Sequence, residues 1–319
     1  MRARVASRES GSGARGWSNR SSPACAAPTV TLDHLDALWF QVTGTVCNLS
    51  CAHCFISCAP DNHTLELMEL DAVLALLDES VRLGVKEYYV TGGEPFMHRQ
   101  LPEMLEAMLA LGPATVLTNG TLLRPHVLER LARAERDSRY SLEVRVSIDG
   151  PDPESNDPIR GEGTFRSAMD GVRALLDLGF LPIITATRVW PVEDDEAMRQ
   201  AFERTMRQLG YDRPRIKILP SLRIGREAMR AGRYGDDDRV TAEMMEGYDV
   251  SHLLCSGARI ATNRGVHVCP ILVDREDSLM GPSLADAARP FPLGHQACHT
   301  CWMYGAICSN YGGIGEGSA

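Results

Sequence analysis

Between residues 37 and 220 the apolar positions fall into two alternating rhythms. The blocks ALWFQVTG (37–44), KEYYVTGGEP (86–95), ATVLTNG (114–120), SLEVRVSIDG (141–150), LPIITATRV (181–189) and PRIKILP (214–220) are short apolar runs closed by turn residues, and read as strands. LDAVLALLDESVRLG (70–84), LPEMLEAMLALG (101–112), HVLERLARA (126–134), TFRSAMDGVRALLDLG (164–179) and EDDEAMRQAFERTMRQLG (193–210) carry apolar residues at helical spacing. The first ends on Gly84, a glycine just past the last turn, and Thr164 is placed to cap the fourth. Six strand–helix repeats predict an α/β fold with a parallel sheet buried on both faces. Periodicity does not choose between a doubly wound sheet and a barrel. In either, ligands gather at the C-terminal strand ends. The cysteine loop, TGGEP, TNG, SIDG and LPSLRIGR all fall there.

The flanks break this rhythm. Residues 1–30 hold five Arg against one Glu, with much Ser and Gly and no apolar period. Residues 1–36 are therefore expected to be a disordered tail, with Cys25 in it functionless. RIGREAMRAGRYGDDDR (223–239) is polar and Gly-rich, so 223–250 reads as a linker, at most part helical, between a core at 37–222 and a small unit at 251–319. With 24% charged and 44% hydrophobic residues the composition is that of a globular protein, and a net charge of −9 argues against a nucleic-acid partner. No apolar run reaches the ~18 residues of a membrane span, and nothing resembles a signal peptide. The expected location is the cytoplasm, with no membrane partner.

Cysteine use supplies the chemistry. Of ten cysteines, four lie in 47–58 and five in 255–308, with none between 59 and 254. Clustering of this kind points to metal or redox chemistry rather than a disulfide framework. In VCNLSCAHCFISC, Cys47, Cys51 and Cys54 could hold three corners of an iron–sulfur cluster and leave one iron open. Two plainer readings stand beside it. Cys58 could complete a closed zinc site, or the four could form a helical stripe. A Gly-Gly turn is common, Asp149-Gly150 is a common turn pair, and Asn119 could simply shape its turn.

Taken in order, CxxxCxxC at 47–54, Gly92-Gly93-Glu94-Pro95, TNG at 118–120, SIDG at 147–150 and Asp157-Pro-Ile-Arg160-Gly161 resemble the radical S-adenosylmethionine (radical SAM) superfamily, in particular members with a SPASM or twitch extension. The resemblance spans residues 37–310 and implies a partial (β/α)6 TIM-type barrel with a small cysteine-rich C-terminal extension. It further implies that Cys47, Cys51 and Cys54 ligate a 4Fe–4S cluster whose open iron takes the amino and carboxylate groups of SAM. His53 would lie near the adenine. Gly92, Gly93 and Glu94 would receive the SAM ammonium, with Pro95 closing the loop. Ser147 and Asp149 would contact the ribose or carboxylate, and Arg160 would pair with a carboxylate. Thr185 and Thr187 alternate on the fifth strand and could face the site. Cys58 would be a bystander, its loop turning away at Ala59-Pro60.

Cys255 and Cys269 flank an expected hairpin with Gly265 at its turn, and Cys298-x2-Cys301 supplies a second pair. By the same resemblance these four would hold one auxiliary 4Fe–4S cluster, with Cys308 a spare or a replacement. A second auxiliary cluster is not expected, because few cysteines and residues remain. The implied activity is that of a radical SAM oxidoreductase. SAM is cleaved reductively to a 5′-deoxyadenosyl radical that removes hydrogen from a substrate carbon, and the auxiliary cluster takes up an electron. The expected electron donor is a flavodoxin or ferredoxin. The substrate is either a ribosomally made precursor peptide or a small natural product. No catalytic base stands out. The contrasting reading is a zinc-stabilised binding protein without catalysis.

Overall fold

The computed structural model describes residues 27–305 and 307. Cys25, Cys308 and most of the expected tail lie outside the described residues. The tail expectation fails at its end: β1 (Thr29–Val30) is a strand. In chain order there follow β2 (Ala37–Gln41), α1 (Leu70–Leu83), β3 (Glu87–Thr91), α2 (Leu101–Leu109), β4 (Ala114–Thr118), α3 (Pro125–Asp137), β5 (Leu142–Ser147), α4 (Pro153–Arg160), α5 (Thr164–Asp177), β6 (Ile183–Thr187), α6 (Asp195–Gln208) and β7 (Arg215–Leu219). Then come α7 (Gly225–Ala231), β8 (Ala258–Thr262), β9 (Gly265–His267), β10 (Leu279–Gly281), β11 (Phe291–Pro292) and α8 (Gln296–Tyr304).

Strands β2 to β7 pair in parallel in sequence order, as strand–helix repeats with short connections must. Their residues alternate between two buried environments. Leu38, Phe40, Tyr88, Val90, Val116, Val144, Val146 and Ile184 are buried on one face among the apolar core. On the other face Trp39, Gln41, Thr91, Leu117, Arg145, Ser147, Thr185, Thr187 and Leu219 all line a single cavity of about 230 Å³. Strands from both ends of a six-strand row can share one cavity only if the sheet curves, and it stays open, with β7 at one edge. This is the partial (β/α)6 barrel.

The cysteine-rich extension continues the same sheet. β8 pairs parallel to β2, and β9 and β10 follow as an antiparallel hairpin pattern. Gly265 does sit at the hairpin turn. β1 pairs with β11, so the first described residues are stitched to the extension. Two local expectations shift. Gly84 caps α1 in the left-handed conformation as expected. At α5 the cap is Gly163, one residue earlier than Thr164. The Asp157 carboxylate accepts from the backbone N–H of Gly163 and Phe165, so the capping chemistry comes from α4, a helix with no clear periodic signal.

Candidate active site

The loop after β2 carries the cysteines to the mouth of the barrel. Glu94 N donates to Val46 O at 3.2 Å, and Thr45 N donates to Leu65 O at 3.0 Å, which fixes where the loop leaves the sheet. Cys47, Cys51, Cys54 and Cys58 all line the cavity. Cys58 therefore does not turn away, contrary to expectation. Its backbone N–H donates to Cys54 Sγ at 3.2 Å. The Cys58 thiol also donates to Cys54, which lowers the Cys54 thiol to about 6 and pushes Cys58 far up. Burial drives Cys47 up to about 12 and raises Cys51. Around Cys47, Leu49 N donates to the sulfur at 3.4 Å, and Asn119 Nδ2 approaches it at 3.9 Å while donating to Asn48 Oδ1 at 2.9 Å. Asn119 thus shapes its turn through Thr121 and also touches the first cysteine.

The glycine loop lies against the same wall. A Cβ on Gly93 would stand 2.0 Å from Val46 O, so only glycine lets the two loops touch. Gly92 and Gly93 line the cavity, whereas Glu94 does not. The Glu94 carboxylate is fully buried and accepts from Phe96 N, Thr118 Oγ1 and Asn119 N at 3.0, 2.7 and 2.7 Å. Its expected role as acceptor for an ammonium group is corrected: it ties the β3 loop to the end of β4. Three protein donors occupy the carboxylate.

His53, Ser147 and Arg160 line the cavity, but Asp149 sits behind them with no exposure. Asp149 Oδ2 lies 2.7 Å from His53 Nε2 and 2.6 Å from Arg160 Nε, and its Oδ1 accepts from Thr187 N at 2.7 Å. Burial alone would raise this carboxyl. The charges of Arg160 and then His53 outweigh it and hold Asp149 below the usual carboxylate range. The ligand contact expected of Asp149 is thus corrected to orientation of two cavity-lining side chains, the Arg160 guanidinium and the His53 imidazole. His53 Nδ1 and Thr185 Oγ1 are buried without a hydrogen-bond partner among the described residues. Both line the cavity, where a ligand with donors and acceptors would satisfy them.

The second set also converges. Cys255 feels the charge of Cys269, Cys301 and Cys298, Cys269 that of Cys301, and Cys298 that of Cys269 and Cys301. Burial pushes Cys269 and Cys298 up to about 12 and Cys255 well above its ordinary value. Beside them Arg259 is buried, with its guanidinium donating to the carbonyls of Ala287, Cys255, Ala258 and Arg289. It meets no carboxylate among the described residues, so an anion formed by cysteine thiolates is what would balance it. Pro270, next to Cys269, and Ile307 line the first cavity.

Several residues of the site are not apparent from the motifs. Arg226, in the expected linker, donates through its guanidinium to the carbonyls of Cys51, Ser57 and Cys58. Within 223–250, expected as a linker or helix, α7 packs on the cysteine loop. Asn48 bridges Asn119 and Thr121. Asn156 Oδ1 accepts from Asp149 N at 3.0 Å. Asn48, inside the 47–54 cysteine motif, and Asn156, directly before Asp157, had a nearby signal, and Arg226 had none.

A curved parallel sheet, a three-thiol loop at its C-terminal mouth and a glycine loop pressed against it define a class of enzymes built around a thiolate-held cluster. The donor set and the close glycine cradle fit a 4Fe–4S cluster with SAM beside it. The Radical SAM superfamily model matches residues 42–205, just over half of the sequence, and the chain belongs to that superfamily, whose cofactors are SAM and a 4Fe–4S cluster. A probable GTP 3′,8-cyclase of Methanococcus maripaludis is 30% identical over 139 residues, 43% of this chain and 44% of that one. The antilisterial bacteriocin subtilosin biosynthesis protein AlbA of Bacillus subtilis is 29% identical over 154 residues, 46% of this chain and 33% of its own. The chain thus spans less than half the length of either relative. Among solved structures, Streptococcus suis SuiB bound to S-adenosylmethionine matches with a TM-score of 0.58 over 76% of this chain and 62% of that one, at 16% identity, a likeness of fold. Among the described residues no helix is long and apolar enough to cross a membrane.

Proposed function

We propose that the chain is a radical SAM oxidoreductase that modifies a ribosomally made precursor peptide. The observation that carries this reading is the cavity itself: Cys47, Cys51 and Cys54 line it, and so does Pro270, the sequence neighbour of Cys269 in the second set. Cys47, Cys51 and Cys54 would hold the SAM-binding cluster. When bound, that cluster and SAM supply a carbon radical able to take hydrogen from an unactivated carbon. The chain's own part is to bind, orient and exclude water. The Gly92–Gly93 backbone offers the ammonium group of SAM close approach. Arg160, held by Asp149, offers its carboxylate a fixed cation. His53, Ser147, Thr185 and Thr187 offer hydrogen bonds to the nucleoside. Trp39, Phe55, Ile56, Leu117, Leu219 and Leu222 make an apolar wall against water. Cys255, Cys269, Cys298 and Cys301 would hold an auxiliary cluster as the sink for an electron from the substrate. A flavodoxin or ferredoxin would deliver the first electron.

The peptide branch is favoured over a small natural product by the likeness to AlbA, whose name is that of a bacteriocin biosynthesis protein, and by SuiB, which has a structure bound to precursor peptide SuiA. The test has two stages. Iron and sulfide analysis after anaerobic purification should find about eight irons per chain for two 4Fe–4S clusters; zinc without sulfide would sink the enzyme reading in favour of a metal-stabilised binding protein. 5′-Deoxyadenosine release is then measured with candidate precursor peptides and with small alcohols. Peptide-stimulated release is expected. Stimulation by the alcohols alone would move the substrate to the small-molecule branch.

A further inference from the structure

Arg226 stands where α7 meets the cysteine loop. Its Nε donates to Cys51 O at 2.8 Å, its Nη1 to Ser57 O at 3.4 Å and its Nη2 to Cys58 O. Its backbone N–H donates to Cys54 O at 3.0 Å. Four carbonyls of one short loop therefore end on one residue. Gly225 makes the approach possible: its φ is +56°, and a Cβ there would stand 2.2 Å from Phe55 O. The planar fork of guanidinium can serve several carbonyls at once, which a lysine ammonium on a flexible stem cannot do in fixed geometry. No carboxylate lies within ion-pair reach of Arg226 among the described residues, in contrast to Arg160 and Arg230, which pair with Asp149 and Glu227. Its charge is directed at the loop.

We propose that Arg226 is a positioning residue that fixes the geometry of the cysteine loop and raises the reduction potential of the cluster the loop holds. This rests on the reading that Cys47, Cys51 and Cys54 ligate that cluster. Reduction adds a negative charge, and a nearby cation favours the reduced state. At an effective dielectric of about 20 and a separation of about 10 Å, one unit charge is worth roughly a tenfold change in that equilibrium, or about 59 mV for one electron. The carbonyl contacts act separately, by holding the backbone of Cys51, Cys54 and Cys58 in place before the cluster arrives.

The test compares full-length wild type, Arg226→Gln and Arg226→Lys after anaerobic reconstitution. Three quantities are read: iron and sulfide retained under chelator challenge, the thermal transition of the metal-free chain, and the potential of the cluster whose electron paramagnetic resonance signal responds to SAM. Arg226→Gln should shift that potential negative by about tenfold in the equilibrium and lose iron faster. Arg226→Lys, which keeps the charge, should hold the potential near wild type while still losing iron faster. Arg226→Gln with wild-type potential and retention would overturn the proposal. So would loss of the thermal transition in both metal-free variants, which would make Arg226 a support of the fold at large. A wild-type chain with no SAM-responsive cluster would sink the underlying reading itself.

Discussion

Asp149 lies behind the cavity and faces the Arg160 guanidinium and the His53 imidazole, so its removal takes the shared acceptor from both. Asp149→Asn keeps an acceptor for Thr187 N but leaves Arg160 buried without its counter-ion. Breaking a buried pair in this way costs about 3–5 kcal/mol, to be read as a lowered thermal midpoint. The pH dependence has a definite sign. The Asp149 carboxyl is held below its ordinary 3.8 by Arg160 and His53, against the opposing pull of burial. Its contribution is fully present above that value and is lost as pH falls through the lower folded value. The part of the gap between wild type and Asp149→Asn that comes from the carboxyl itself should persist down to about pH 4 and be lost only in stronger acid. A gap that closes already near pH 6 would contradict this placement. Cys58 poses a different residue-scale question, because it lines the cavity with the other three thiols. If the open iron is required, Cys58→Ala keeps the first cluster and SAM cleavage, whereas Cys47→Ala, Cys51→Ala or Cys54→Ala abolishes both. Loss of that cluster in Cys58→Ala would mean a closed site. At this scale the sequence showed the cysteines well, since their spacing is local. It misassigned Glu94 and Asp149, because a carboxylate at a strand end looks alike whether it faces a ligand or a neighbouring strand.

At the scale of elements, alternating apolar runs located β2 to β7, since a strand buried on both faces must be apolar throughout; β8, parallel to β2, was expected only as the arm of a hairpin. α4 and α7 were not legible. α4 has Pro158 inside it and few apolar residues, and its task is to carry Asn156, Asp157 and Arg160. α7 is short and polar because it packs on loop carbonyls, which call for donors rather than hydrocarbon. The contacts that give it meaning lie up to 175 residues away in sequence, beyond any local pattern. Gly225→Ala tests how tightly α7 is seated. The new methyl would meet Phe55 O in a backbone conformation with positive φ, and a loss of roughly 1–3 kcal/mol is expected. Arg130→Ala, by contrast, removes ion pairs between α3 and α2 whose members are more than a third exposed. It should change stability by no more than about 1 kcal/mol. Thermal melts of the two variants side by side would show whether seating of α7, rather than surface charge, is the sensitive element.

For the molecule as a whole, the sequence suggested a core at 37–222, a linker or helix, and a small unit at 251–319, and the pairing of strands joins core and unit in one sheet. β8 lies directly beside β2, with Leu38, Trp39 and Phe40 opposite Arg259, Ile260 and Ala261. β2 is thus an interior strand of one continuous sheet rather than the edge of a barrel. Leu253, Leu254, Ile260, Val266 and Val268 are all buried in the common apolar core. Each such side chain is worth roughly 1.5–3 kcal/mol of burial, so together they match the whole net stability of an ordinary domain, about 5–15 kcal/mol. A chain ending at residue 250 would lose them and bare a long apolar edge on β2, the kind of edge along which chains aggregate. Such a truncation should lack a cooperative thermal transition and elute as aggregate on size exclusion, even in metal-free form, where neither cluster contributes. A monomeric product with the full-length melting temperature would show instead that the barrel stands alone. The distinction bears on function, because one continuous sheet holds Pro270 in the cavity wall and Cys269 directly before it in sequence. On the proposed reading, the residues that would hold an auxiliary cluster stand beside the cavity in the folded chain, with no domain closure needed to bring them there.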